Sequence, residues 1–303
     1  MRHVTAVAIN LAAVVLFSAL RAQDLEPRAY SNSPIGLNFL IAGYGYATGT
    51  VLTDPALPLD NVTNDAHVGI IAYAKVINVL GQSAKVDVVV PYGSLFAKGL
   101  VFGQPRERFV TGFGDPAFRF SMNFIGAPAL TAAEFKNYRQ DLILGASLRV
   151  IVPLGQYDDT RLVNIGTNRW SVKTEIGCSK ALGRWTVELA PAVTFYTDNT
   201  DFLGGQTRAQ APIYSAQSGL TYTFLPGCWL ALNGGYFFGG RTTVNGVKNN
   251  NQLEGPRLGA TLALPVTRNH SVKFYAITGF NADRHHDFDA VGIAWQYRWG
   301  GGF

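Results

Sequence analysis

The sequence predicts an all-β chain that closes into a transmembrane antiparallel up-and-down β-barrel of about 12 strands, with one short periplasmic helix. Three observations carry that expectation. From residue 35 onward the chain breaks into segments of about 9–14 residues that alternate apolar side chains with polar or small ones. The connections between segments alternate long and short, the pattern of outer-membrane barrels with long outer loops and tight periplasmic turns. The last segment sets Val291, Ile293, Trp295, Tyr297, Trp299 and Phe303 on one face, against Gly292, Ala294, Gln296 and Arg298 on the other.

The elements follow in order. A basic start, an apolar run from Val4 to Leu20 and then Arg21-Ala22-Gln23 read as a signal peptide over residues 1–22. Residues 23–34 form a periplasmic N-terminal segment and residues 35–303 the barrel. Later segments are too short and too mixed for a spanning helix, so strands must do the crossing. The strands are expected over 35–48, 67–78, 84–92, 118–124, 141–152, 170–179, 185–196, 213–224, 228–239, 256–265, 271–280 and from 288. One connection expected to be a short turn, 125–140, is long; Thr131-Ala132-Ala133-Glu134 is a capping box that opens a helix to about Tyr138.

Composition agrees with a barrel: 33 glycines, 13 tyrosines, 19 phenylalanines and only 15% charged residues. Without residues 1–22 the net charge is near +3 and no basic run exceeds two residues, which sets nucleic-acid partners aside. Trp170, Phe195, Tyr214 and Phe237 are expected in an outer aromatic girdle, with Phe124, Trp185, Phe224, Trp299 and Phe303 in a periplasmic one. Cys178 and Cys228 fall three strands apart, which favours two free thiols over a disulfide.

On the polar face, charged residues are interleaved with Gly, Ser, Ala and Thr, as in a wet lumen. Lys85, Asp87, Arg119, Arg149, Lys173, Glu175, Glu188 and Arg298 are the expected pore-lining and selectivity residues. Tyr44, Tyr46, Tyr73 and Tyr196 are expected to add apolar patches to the inward face. Residues 24–34, with two prolines and no alternation, are a candidate lumen plug in which Glu26 and Arg28 pair with lumen charges. No cofactor or metal is expected. A His-Glu-x-x-His or Gly-x-Ser-x-Gly motif is absent from the sequence, and His67, His270, His285 and His286 form no compelling site. The function expected is a channel or transporter passing small solutes by diffusion; the alternatives are a lipid-modifying enzyme or a non-transporting structural barrel.

Several motifs add a resemblance: residues 24–34 leading into Gly36-Leu37-Asn38-Phe39-Leu40, then Gly112-Phe113-Gly114-Asp115-Pro116, Gly126-Ala127-Pro128-Ala129-Leu130, Pro153-Leu154-Gly155-Gln156-Tyr157-Asp158 and Gly166-Thr167-Asn168-Arg169-Trp170. Together they resemble the transporter family of the MetA pathway of phenol degradation, Gram-negative outer-membrane barrels. The resemblance implies uptake of small, including aromatic, compounds across the outer membrane. It also implies contact with outer-membrane lipid and lipopolysaccharide. The aromatic C-terminal strand resembles the signal read by the barrel-assembly machinery, which makes Trp299 and Phe303 the assembly signal.

Overall fold

The computed structural model describes residues 26–50, 59–101, 104–161, 163–279 and 288–302. The expected signal peptide, His285, His286 and the terminal Phe303 lie outside the described residues. The elements are β1 (Leu37–Thr50), β2 (Leu59–Val79), β3 (Gln82–Val101), β4 (Gln104–Phe113), β5 (Ala117–Ile125), α1 (Ala132–Phe135), β6 (Leu142–Ile151), β7 (Ser171–Leu182), β8 (Trp185–Tyr196), β9 (Asn199–Phe202), β10 (Gln206–Gln210), β11 (Ile213–Leu225), β12 (Cys228–Gly239), β13 (Thr242–Val244), β14 (Val247–Lys248), β15 (Leu253–Pro265), β16 (His270–Gly279) and β17 (Phe288–Gly300).

Neighbouring strands pair antiparallel all the way round, and β1 against β17 closes the ring in register from Leu37↔Gly300 to Gly49↔Phe288. β4 and β5 both pair with β3, along residues 92–101 and 84–89, so they are two halves of one stave interrupted at residues 114–116. The barrel therefore has twelve staves, with no open edge to satisfy in lipid.

The outward face is apolar. Phe118 and Phe120 on β5, Ile176 on β7, Leu189 on β8, Leu232 on β12, and Val291 and Ile293 on β17 are all exposed, while their alternating neighbours are buried, small or polar. Two girdles bound this belt. Trp170, Phe195, Tyr214 and Phe238 mark its outer rim, and Phe124, Trp185, Tyr222 and Phe224 its periplasmic rim. Phe237 departs from the expected girdle. It has the inward parity of β12 and lies 5.3 Å from the Arg257 guanidinium, leaving Phe238 to stack on Tyr214.

β1 and β2 invert the expected polarity. Their inward residues are Phe39, Ile41, Val68, Ile70 and Ala72, while Tyr44, Tyr46, His67 and Tyr73 share the outward parity of the exposed Ile71. These tyrosines sit where an aromatic body can meet lipid while its hydroxyl finds a partner. Tyr46 donates to Asp65 (2.7 Å), Tyr73 donates to Asn38 (2.7 Å), and the Tyr44 hydroxyl is 2.6 Å from His67 Nδ1.

The outer connections are more ordered than alternation suggests. β2 and β3 run for 21 and 20 residues. At ~3.3 Å per residue they far exceed a ~30 Å hydrocarbon core, so with β4 they project beyond it. There both faces carry polar residues, such as the facing Lys98 and Glu107, so the period-two hydrophobic signal vanishes although the ladder continues. The connections at 197–212 and 240–255 supply a second, four-stranded sheet, in the order β14-β13-β10-β9.

On the opposite side the turns are tight. α1 has the expected capping box: Thr131 Oγ1 accepts from Glu134 N (3.4 Å) and Glu134 Oε2 accepts from Thr131 N (2.8 Å). It stops at four residues, and Tyr138 instead donates its hydroxyl to the Gly126 carbonyl (2.7 Å). Cys178 and Cys228 are free thiols, on β7 and β12 with β8 and β11 between them. Both have outward parity, so a bilayer-soluble maleimide is expected to label both in the folded protein. A disulfide-linked pair would leave neither labelled until reduction.

Candidate functional site

The site is the barrel interior and the segment that enters it. Residues 26–34 cross the lumen. A turn over 28–31 is closed by Ser31 N donating to the Arg28 carbonyl (3.2 Å), with Arg28 itself at φ 62°. Such a φ is unfavourable for a non-glycine residue and has to be held by its surroundings. Here the Arg28 N–H donates to Glu188 Oε2 (2.5 Å), and its guanidinium lies 5.6 Å from the Trp229 ring.

Every part of the segment is held by the wall. Glu26 makes a bidentate ion pair with Arg119, which also donates to Asp87 Oδ2 (2.8 Å). Lys85 Nζ donates to the Ala29 carbonyl (2.6 Å), and Asn123 donates to the Tyr30 carbonyl (3.1 Å). The Tyr30 ring is buried against Ala127, Ile143 and Ala190, and its hydroxyl donates to Glu175 (2.9 Å). Gly145 and Gly177 make room for that ring: a Cβ on Gly177 would lie 1.9 Å from it. The 126–130 motif grips the segment's end, with Leu130 O accepting from Ile35 N (2.9 Å) and Pro128 O from Asn32 Nδ2 (3.2 Å).

The wall itself explains why a carboxylate is wanted. Arg119 faces Arg149 across β5 and β6, and Arg149 faces Lys173 across β6 and β7. Like charges directly opposite one another are unfavourable. Glu175 takes up Lys173 (3.0 Å), Asp87 takes up one edge of Arg119, and Glu26 supplies the remaining acid from outside the sheet. Enclosure opposes ionisation of Glu26, but Arg119, then Lys85 and Arg149, outweigh it and hold its carboxyl well below the usual carboxylate range. A carboxyl lowered in this way favours the docked segment at every pH above its ordinary value. It loses that contribution progressively as pH falls from the ordinary value to the lowered one. Titration of Glu26 should therefore add no change in conductance between pH 7 and pH 4, so the wild type and Glu26→Gln should share one pH profile over that range. A rise near pH 4–5 that the Glu26→Gln variant lacks would contradict this.

Of the expected lumen residues, Lys85, Asp87, Arg119, Lys173, Glu175 and Glu188 converge on or beside this segment, and Arg149 contributes charge to it. Arg298 does not join them: it donates to the Arg268 carbonyl (2.9 and 2.7 Å) in the β15–β16 turn at the rim. Tyr44, Tyr46 and Tyr73 lie outside; Tyr196 points inward, 4.5 Å under the Arg169 guanidinium. Trp299 stacks on Tyr297 (5.4 Å) and lies 6.1 Å from the Tyr73 ring at the end of β17. Sequence reasoning missed Lys273 and Trp229, which face each other at 5.9 Å within the lumen, and Tyr275, whose ring fills the space left by Gly292. The inward parity of β16 was the signal available for Lys273 and Tyr275. Among the described residues no group of three or more His, Cys, Asp or Glu is placed to hold a metal.

At the outer end three of the sequence motifs meet. Asp115, buried in the break between β4 and β5, accepts from Gly155 N (2.8 Å), Thr167 N (2.8 Å) and Thr167 Oγ1 (2.9 Å). Gln156 N donates to Phe113 O (2.7 Å), and Gly166 N to Gln156 O (2.7 Å). One carboxylate thus folds the 153–167 connection down onto the barrel and sets Arg169 at the mouth.

A closed, even-stranded antiparallel barrel with an apolar belt, aromatic girdles and a charged interior is an integral β-barrel of the outer membrane. More particularly, the chain belongs to the family described as "Putative MetA-pathway of phenol degradation", whose model matches residues 45–297. Its fold is similar to that of an outer membrane channel from Pseudomonas putida F1, with a TM-score of 0.77 at 20% identity over 91% of this chain and 100% of that one. It is also similar to the transport unit of the autotransporter AIDA-I from Escherichia coli, with a TM-score of 0.55 at 10% identity over 94% of this chain and 95% of that one. A search of curated proteins gave no match.

Proposed function

We propose that the protein is a non-enzymatic diffusion channel of the outer membrane that passes small solutes, aromatic compounds among them, through a narrow lumen. Residues 26–34 act as its plug. The observation that carries this reading is the two-sided interior. One wall, from β1 and β2, is apolar (Phe39, Ile41, Val68, Ile70), while the facing chemistry is a set of ion pairs shared with the N-terminal segment. A ring can slide along the first while polar substituents and water are served by the second. Membership of a family described by phenol degradation and likeness to an outer membrane channel support the solute class.

Planar-bilayer conductance together with liposome uptake of phenol, sugars and ions tests the proposal. Phenol entry well above that of protein-free liposomes is expected. Failure to conduct ions and to pass any of these solutes would overturn the channel reading.

A further inference from the structure

Two arginines at the outer mouth are not explained by the plug. Arg169 and Arg208 are each only 3% exposed. Arg169 stands on the barrel, just before β7, over the Tyr196 ring, and one of its terminal nitrogens donates to Gln210. Arg208 hangs from β10, in the small sheet above the barrel, with its guanidinium 5.4 Å from the Phe202 ring. Among the described residues neither has a carboxylate at ion-pair distance. Arg169 Nε and Nη1 and Arg208 Nε, all buried, have no hydrogen-bond partner. Asp115 and Asp198 act on Arg169 only from beyond ion-pair distance and no acid acts on Arg208, so two buried guanidiniums close enough to repel are costly here. Burial, and then the charge of Arg169, pull Arg208 down to about 9. The nearby Tyr157 hydroxyl accepts from Asn199 (2.8 Å), so it is already engaged on that side.

We propose that Arg169 and Arg208 form a binding site for the carboxylate of a small aromatic acid, bridging the barrel wall and the sheet that covers it, with Tyr196 and Phe202 flanking the ring. Planar guanidiniums match a carboxylate through paired N–H donors, and the aromatic faces already stacked on them supply the apolar contact. Entry requires the β14-β13-β10-β9 sheet to lift. The occupant being a solute rests on the channel reading above; the anion chemistry rests on the arginines alone.

The test is calorimetric titration of the full-length folded protein with benzoate, against acetate, inorganic phosphate and phenol, alongside phenol uptake in liposomes. Benzoate should bind the wild type. The Arg169→Gln/Arg208→Gln double variant should bind it about tenfold or more weakly while phenol uptake stays unchanged. Arg208→Lys keeps the charge but not the fork and should fall between them. Absence of benzoate binding to the wild type, or undiminished binding by the double variant, overturns the site. Phosphate or acetate binding as tightly as benzoate overturns its assignment to aromatic acids. Loss of benzoate binding in a barrel that passes no phenol would leave the site standing and remove the channel.

Discussion

Deletion of residues 26–33 should raise the single-channel conductance about two- to threefold. Twelve strands spaced ~4.8 Å apart and tilted about 40° enclose a backbone cylinder roughly 12 Å in radius, from which inward side chains remove several ångströms. An extended peptide with its side chains takes up a large share of what is left. The deletion strips Glu26 from Arg119 and Arg28 from Glu188 together, so it uncovers charges of both signs and leaves the net charge of the lumen unchanged. The opened pore should accordingly keep the ion preference of the wild type, whereas Glu26→Gln alone, which leaves Arg119, Arg149 and Lys173 with one acid fewer, should shift it towards anions.

Gly177→Ala reaches the same end without shortening the chain. Its new Cβ falls within the Tyr30 ring, which must leave its pocket and give up the Glu175 hydrogen bond. A partial rise in conductance, with frequent switching between two levels, is the expected record. Unchanged conductance in both variants would remove the N-terminal segment from the permeation path.

The second large effect is at Asp115. Asp115→Ala leaves the N–H groups of Gly155 and Thr167 without their acceptor in a buried place. Each orphaned buried donor costs about 1–3 kcal/mol, so the 153–167 connection should lose about 2–5 kcal/mol of local stability. Arg161 in that connection is well exposed, which makes trypsin a convenient probe. Cleavage that tracks opening should accelerate by about thirtyfold or more, while the barrel itself stays folded. Asp115→Asn retains one acceptor and should be intermediate. Cleavage no faster than wild type would show that Asp115 does not hold the connection down.

The sequence determined the barrel. Period-two alternation, sorted connection lengths and an aromatic final strand are local features, each set by whether a side chain meets lipid or water. They gave a segment of each of the twelve staves and the capping box of α1, but not the outer extensions of β2 and β3 to Leu59 and Val101, nor β4. The lumen charges were legible for the same reason. Lys85, Asp87, Arg119 and Glu188 sit on the face that alternation assigns inward, and the prolines and missing alternation at 24–34 marked a segment unsuited to the wall.

Alternation fixes only that two faces differ, however, and not which one is inside. On β1 and β2 the apolar face turned inward, because Tyr46 and Tyr73 could satisfy their hydroxyls with Asp65 and Asn38 while their rings stayed outside. Phe237 and Phe238 exchanged sides on the same ground: two adjacent aromatics carry no parity signal, and Arg257 decided between them. Arg298 has inward parity but lies at the rim, within reach of the Arg268 carbonyl. Only the closed ring brings together residues more than a hundred positions apart, such as Arg28 with Glu188 or Tyr30 with Glu175. Only the folded outer loops bury Arg169 and Arg208 beside one another. Periodicity records the solvent each face meets; which distant charges must share an enclosed space follows from closure of the sheet.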